Sequence, residues 1–314
     1  MGINKVQFQK GLSMAAFMER YGTEKKCHAA VVVLRWPNGF VCPKCGETRH
    51  CTFDRKGLTY WQCSACREQT TFRCGTIFEA TKLPLTTWFL CMHLMTRAKN
   101  NVSALGHLEV RYRTAWLLKH KLMQVMSERE ETRQLDGRVE IDGADLDGEL
   151  PGGKSGRGSE NKVSFIAAVQ TTETGQPLKV CLKKLEFTKK AIAQWAKTAL
   201  ASSARAVSDG LWCFQSVTAS GATHQRTVTA GGPACVELEQ FRAVNTFLGN
   251  LKTACFGTYH AVDFAKYAHR YLAEVQYRFN RRFDLSSILK HLLVAAVITR
   301  PRPEQFLRTA EHCG

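Results

Sequence analysis

The sequence predicts a mixed α/β chain with a small metal-stapled module ahead of its main sheet, and three observations carry that prediction. Two Cys-x-x-Cys pairs, Cys42/Cys45 and Cys63/Cys66, are separated by 17 residues. Helical periodicity then fills residues 83–127. From about residue 138 the pattern changes to strand, strand, strand, helix, strand.

The composition admits this plan. A chain of 314 residues has room for two domains, and 44% hydrophobic with 23% charged residues is the balance of a globular protein. No run of eighteen apolar residues occurs, which excludes a transmembrane helix. The first dozen residues have no continuous apolar stretch, so no secretory signal is expected and a reducing cytoplasm is. There, thirteen cysteines point to metal and not to disulfides. Lys and Arg outnumber Asp and Glu by 44 to 27, a net charge of +17 that favours an anionic polymer as partner. Residues 1–134 hold 21 basic against 10 acidic residues and the remainder 23 against 17, so the front of the chain is the expected binding module.

In chain order, residues 1–36 form an N-terminal helical region. Phe8, Leu12, Ala15 and Ala16 follow helical spacing, and an apolar run over 27–36 ends at the turn Pro37-Asn38-Gly39. Residues 37–75 are a zinc ribbon. Each Cys-x-x-Cys pair makes a tight knuckle presenting two thiolates, and two knuckles close a tetrahedral Zn²⁺ site with no open position, so the metal is structural. Strand character at 52–53 and 59–62 fits between the knuckles. Residues 83–127 are a helical, helix-turn-helix-like DNA-binding segment: short helices to about residue 108, then a third over 112–126. Around that third helix Arg111, Arg113, Lys119, His120 and Lys121 lie beside an apolar face of Ala115, Leu118, Leu122 and Met126. The polar stretch 127–137 is expected to be a linker.

The catalytic domain is expected over 136–285, with a C-terminal helical tail at 286–314. Its strands are placed at 139–146, 163–170 and 178–185, with a Gly-rich basic loop at 151–162. A helix at 189–200 leads into a short strand at 204–208 ending on Asp209-Gly210. This is the opening order of an RNase H-like sheet, in which the first strand and the strand after the helix are neighbours. Asp142 and Asp209 would then face each other. Two aspartates, followed by Asn245 on a helix and Lys252 two turns later, suggest a two-metal site for phosphoryl transfer on a nucleic acid. Oxygen ligands suit Mg²⁺ or Mn²⁺. Asp142 would bridge both ions, Asp209 would hold one, and Asn245 would hold the other through its amide carbonyl. Lys252 and Arg242 would contact phosphate. Alternatives stand beside each choice: Glu140, Asp145 and Asp147 near the first position, a helix N-cap role for Asp209, and Glu237, Glu239 or Glu274 as a third acid.

On these motifs the chain resembles the DDE-type transposases of bacterial insertion sequences that carry an N-terminal zinc ribbon. The likeness rests on the paired knuckles, Gly75-Thr76-Ile77-Phe78 through Leu83-Pro84-Leu85, Arg138-Val139-Glu140-Ile141-Asp142, and Gly152-Gly153-Lys154. It continues through Asp209-Gly210, Val244-Asn245-Thr246 to Lys252, Gly257-Thr258-Tyr259-His260, and residues 277–282. The resemblance implies a retroviral-integrase-like core, with Asp142, Asp209, Asn245 and Lys252 as the catalytic set of a variant that ends its triad in Asn. It implies Mg²⁺ or Mn²⁺ at that site beside the structural Zn²⁺. It implies double-stranded DNA as partner (element ends and target), a homo-oligomer on DNA, no membrane, and a bacterial cytoplasmic, nucleoid-associated setting. Gly143-Ala144 departs from relatives that have a second acid after Asp142. Two rivals remain: a catalytically inactive relative that binds DNA as a regulator, and a zinc-ribbon component of a larger assembly.

Overall fold

The computed structural model describes residues 10–97, 102–147, 162–228, 238–258 and 263–309. The Gly-rich loop at 151–161, Tyr259, His260 and Glu237 lie outside the described residues. The chain divides into two compact units, Met1–Val125 with Phe283–Arg308, and Met126–Arg282 with Thr309–Gly314.

The first unit begins with helices α1 (Met14–Tyr21) and α2 (Glu24–Arg35), each started by a side-chain cap: Ser13 accepts from the Ala16 N–H and Thr23 from the Lys26 N–H. A three-stranded antiparallel sheet follows, β1 (His50–Arg55), β2 (Leu58–Cys63) and β3 (Gln69–Thr71). One face of this sheet is joined to α2 by aromatic packing. Trp61 lies 4.9 Å from Trp36, and His28 meets Phe72 edge-on at 4.3 Å. Next come α3 (Leu85–Thr96), a 3₁₀ helix (Val102–Leu108), and the first part of α4 (Tyr112–Glu130). The unit is completed from the far end of the chain by α8 (Ile288–Ile298), which packs on α2 and α3, and by α9 (Glu304–Thr309). In α8, Leu292, Leu293 and Ala296 are fully buried, so these residues are core and not an appended tail.

The expected helix-turn-helix is altered in two ways. Its second helix is a 3₁₀ helix, and the basic residues of α4 are largely engaged within the fold. Lys119 and His120 are buried, and exposed Arg113 makes a bidentate pair with Glu304 at 2.9 and 3.1 Å. The expected linker over 127–137 is also corrected. α4 continues to Glu130, which is 4% exposed and accepts from Arg281 Nη1 and Asn280 Nδ2, each at 2.7 Å. A charged residue can close a buried helix end when a cation from a distant segment neutralises it, and local sequence does not show that partner.

The second unit is a five-stranded sheet in the order β6-β5-β4-β7-β8. Its strands are β4 (Arg138–Asp147), β5 (Lys162–Thr171), β6 (Pro177–Lys184), β7 (Arg205–Ser208) and β8 (Thr223–Arg226). β4, β5 and β6 are antiparallel neighbours, while β7 runs parallel to β4 and β8 parallel to β7. Period-2 alternation sorts the two faces. Val139, Ile141, Ile166 and Ala168 join Ile192, Trp195 and Ala196 of α5 (Lys189–Ala199) and Phe214 of a 3₁₀ helix (Trp212–Ser220) in one core. α6 (Arg242–Thr258) and α7 (Phe264–Phe279) also pack on β4 and β5, and α7 on β6. The outer edge of β6 is covered by side chains that imitate a further strand. Asn280 accepts from the Val180 N–H at 2.7 Å and returns a bond to its carbonyl at 3.0 Å, and Gln276 accepts from the Leu182 N–H at 2.8 Å.

Candidate active site and zinc centre

In the first unit the two knuckles are near copies of each other. The Cys42 N–H donates to the Glu47 carbonyl at 2.9 Å and the Cys63 N–H to the Glu68 carbonyl at 2.9 Å. Gly46 and Arg67 close the turns by donating to the Cys42 and Cys63 carbonyls, both with positive φ, +76° and +61°. The four Sγ atoms of Cys42, Cys45, Cys63 and Cys66 lie within 4.8 Å of one another, with separations of 3.4 to 3.6 Å for three of the pairs. A tetrahedron of sulfurs about 2.3 Å from a central ion has edges of about 3.8 Å, so this donor set fits Zn²⁺. Burial opposes ionisation of Cys42, yet the N–H groups of Cys45 and Lys44 and the Cys66 and Cys45 thiols bring its thiol down to about 7. Cys45, despite the Glu47 N–H, is pushed up to about 12 by the neighbouring Cys66, Cys63 and Cys42 sulfurs. Thiolates are the form that binds zinc.

In the second unit the parallel register of β4 and β7 pairs Val139 with Ala206, Glu140 with Val207 and Ile141 with Ser208. Asp142 and Asp209 are the next residue on each chain. Both are half-buried. Asp142 Oδ1 accepts from the Gly143 N–H at 2.7 Å, and Asp209 Oδ1 accepts from the Leu211 N–H at 3.0 Å. Asp209 is therefore the head of a turn and not a helix N-cap, since the 3₁₀ helix that follows is capped at Leu211.

Asn245 lies in the first turn of α6, half-buried, between the packed residues Val244 and Phe247 and exposed Thr246. Lys252, seven residues on, comes back to nearly the same helix face about 10.5 Å along the axis and is exposed. The start of α6 is tied to β4 by a clamp. Buried Glu140 accepts from the Val244 N–H at 2.9 Å and from Arg138, whose other nitrogen donates to the Gln240 carbonyl at 2.8 Å. Glu140 shares a strand face with Asp142, two residues away. The same strand thus carries one aspartate and anchors the helix turn that carries Asn245.

The clamp removes Glu140 as a rival ligand, because both its oxygens are engaged with α6 and Arg138. Asp145 accepts from the Ser164 hydroxyl at 2.6 Å. Glu274 is buried on α7 and influences Cys255, whose thiol is pushed up to about 11 by burial and by that carboxylate. Cys255 is ten residues beyond Asn245 on α6, about 15 Å along the helix. Among the described residues, no three carboxylate, histidine or cysteine ligands converge other than the four cysteines. The basic run 278–282 is largely engaged within the unit. Arg281 stacks 3.4 Å over Tyr277 and pairs with Glu130, and Arg282 lies 3.8 Å over Phe279 and donates to the Leu178 carbonyl. The sequence offered one signal of the Arg138–Glu140 clamp: two opposite charges at i and i+2 on a strand whose alternate residues are core.

A four-cysteine cluster of zinc-ribbon type and a mixed α/β unit built on a five-stranded sheet define the class of this chain. Known families make the class specific. Residues 22–69 match the transposase zinc-ribbon domain and residues 134–280 the ISXO2-like transposase domain, a DDE domain. Both matched stretches, which together make up more than half of the chain, are those of insertion-sequence transposases. A relative from Halobacterium salinarum, described as an uncharacterized protein in transposable element ISH50, is 23% identical over 127 residues, which are 40% of this chain and 42% of that protein. The chain thus spans less than half the length of that relative. The zinc-ribbon match begins at residue 22 and so takes in α2. Among the described residues no helix is long and apolar enough to cross a membrane.

Proposed function

We propose that this chain is a DNA transposase that binds the terminal inverted repeats of its element. It cleaves a strand at each end and transfers the exposed 3′-hydroxyl to target DNA, acting as a homo-oligomer in a bacterial cytoplasm at the nucleoid. In this reading the second unit is RNase H-like, with β4 to β8 as the five strands in the order 3-2-1-4-5. Asp142, Asp209 and Asn245 hold Mg²⁺ or Mn²⁺, and Lys252 contacts a phosphate near the scissile bond. The bound metals supply activation of the attacking oxygen and stabilisation of the leaving 3′-oxygen. The chain's own contribution is orientation: adjacent parallel strands carry the carboxylates, and the Glu140–Arg138 clamp keeps the first turn of α6 against β4.

The observation that carries the reading is the parallel register of β4 and β7: one residue past its last pair, Ile141 with Ser208, stand Asp142 in the middle of β4 and Asp209 just beyond the end of β7. The donor chemistry fits hard divalent cations, with one ligand a neutral amide. A site with two carboxylates in place of three binds metal weakly until a substrate phosphate adds its charge. Strand transfer on DNA carrying the element's ends tests the proposal. Asp142→Ala and Asp209→Ala are expected to abolish product, and Asn245→Ala to reduce it by at least about 100-fold, a typical loss for a directly acting group. Product from either aspartate variant would exclude this site. The neutral Asn245 at the third position keeps one alternative open, a DNA-binding regulator without catalysis. In that case the unaltered chain footprints the ends and gives no product.

A further inference from the structure

We propose that Ser208, the last residue of β7, and His224, on the edge strand β8, are positioning residues for Asp209 that fix its backbone; the inference rests on Asp209 being a metal ligand, as proposed above. β8 lies parallel to β7 in a register that pairs Ala206 with His224 and Ser208 with Arg226. His224 Nε2 is 2.8 Å from Ser208 Oγ, and the Ser208 hydroxyl donates to the Asp209 carbonyl at 3.1 Å. A hydroxyl has one proton. With that proton on the Asp209 carbonyl, Ser208 Oγ accepts from the imidazole, and His224 carries its hydrogen on Nε2. Ser208 is fully buried, and its hydroxyl bridges the imidazole to the Asp209 backbone. Burial, followed by the nearby Arg226 charge, holds His224 below its ordinary pKa, which keeps the ring neutral near pH 7.

The same strand and its exit residue hold the two flanking carbonyls. The Thr227 N–H donates to the Ser208 carbonyl at 3.0 Å, and Arg226 Nη2 donates to the Gly210 carbonyl at 2.8 Å. Three successive carbonyls, at 208, 209 and 210, are thus each secured: two directly by Thr227 and Arg226, one through Ser208 and His224. The Leu211 N–H then orients the carboxylate itself. A four-residue strand at the edge of a sheet gives limited packing, so this polar lattice is a reason for His and Arg to occupy β8. Groups that orient a metal ligand without touching the metal change affinity or rate by about 10- to 100-fold when removed.

The test uses the full zinc-loaded chain on element-end DNA, with Mn²⁺ titrated calorimetrically and strand transfer followed in parallel. His224→Ala and Ser208→Ala are expected to weaken Mn²⁺ binding and lower kcat by about 10-fold, with KM for DNA unchanged and a modest fall in Tm from the buried bonds removed. His224→Gln presents an amide N–H near the position of Nε2 and is expected to restore both readouts. Ser208→Ala removes only a hydroxyl, so it decides the matter if His224→Ala fails to fold. Mn²⁺ affinity and kcat at parental values in Ser208→Ala overturn the proposal, as does a loss confined to Tm. Parental Mn²⁺ binding that Asp209→Ala abolishes upholds the underlying assignment; a parental chain that binds no Mn²⁺ on DNA overturns both.

Discussion

At the scale of single residues, two positions make sharp demands that differ from what the residue types suggest. Arg67 occupies the left-handed region at φ +61°, the place that Gly46 fills in the twin knuckle at +76°. Left-handed backbone costs a residue with a Cβ about 1–2 kcal/mol, so Arg67→Gly is expected to stabilise the ribbon by about 1 kcal/mol. Chelator titration followed by zinc release would show this as a higher midpoint; an unchanged or lower one would mean that the arginine side chain compensates. Gly143 has the opposite constraint. A Cβ there would stand 2.6 Å from Cζ of Phe187, whose ring packs edge-on against Phe214 at 6.1 Å. A side chain at 143 would have to displace the half-buried Phe187 ring. Gly143→Ala is expected to cost about 1–3 kcal/mol by overpacking, with recovery in the double variant carrying Phe187→Leu, measured by chemical denaturation. Equal losses in the single and double variants would remove Phe187 as the cause. The sequence places Asp142 within a period-2 stretch and Asp209 after a short strand, and those are their positions on β4 and beyond β7. Gly143 was visible only as a missing acid, since the ring that a side chain would displace comes from 44 positions downstream.

At the scale of elements, strands and amphipathic helices were legible wherever one face is apolar and the other wet. The period-2 stretch expected at 139–146 is β4 at Arg138–Asp147, and the helix expected at 189–200 is α5 at Lys189–Ala199. Elements closed by buried charge were not. The end of α4 reads as a polar linker because Ser127, Glu128 and Glu130 are polar, yet Ser127 and Glu130 are buried and the glutamate is neutralised by Arg281 from the end of α7. The start of α6 is the same case, because its anchor is Glu140 on a strand more than a hundred residues earlier. Burying a carboxylate costs several kcal/mol unless it is paired, and removing one partner leaves the other unpaired. Glu140→Ala would leave Arg138, which is 19% exposed, without its carboxylate. A loss of about 3 kcal/mol in the second unit is expected, together with faster amide exchange over the first turn of α6. Glu140→Gln keeps one oxygen for the Val244 N–H and should retain protection there while losing part of the stability. Exchange that stays slow in Glu140→Ala would show that packing of Val244, Phe247 and Leu251 alone seats the helix.

At the scale of the whole molecule, the chain interrupts its first unit to make the second and then returns. Residues 283–308 belong with 1–125, and the two families matched, at 22–69 and 134–280, leave that returning segment outside both. It reads as a tail because an apolar helix carries no local signal of what it packs on. α8 supplies Ile288, Leu289, Leu292, Leu293 and Ala296, all 4% exposed or less, to α2 and α3. Burial of a Leu or Ile side chain is worth about 1.5–3 kcal/mol, so four of them amount to most of the net stability of a small unit. A chain ending at Arg282 should therefore lose the first unit's cooperative core and keep the second's sheet. Amide exchange can separate the outcomes within one sample: α2 and α3 are expected to exchange at the rate of unfolded peptide, while β4 and β5 remain protected. The zinc knuckles can still close locally, because their hydrogen bonds run within 42–68, so zinc content should persist as a separate observable. Slow exchange in α2 and α3 of the shortened chain would show that the ribbon and its metal stabilise the first unit without α8. Fast exchange there with zinc still bound would show that the knuckles close without it, and that α8 is what gives the helices around them a core.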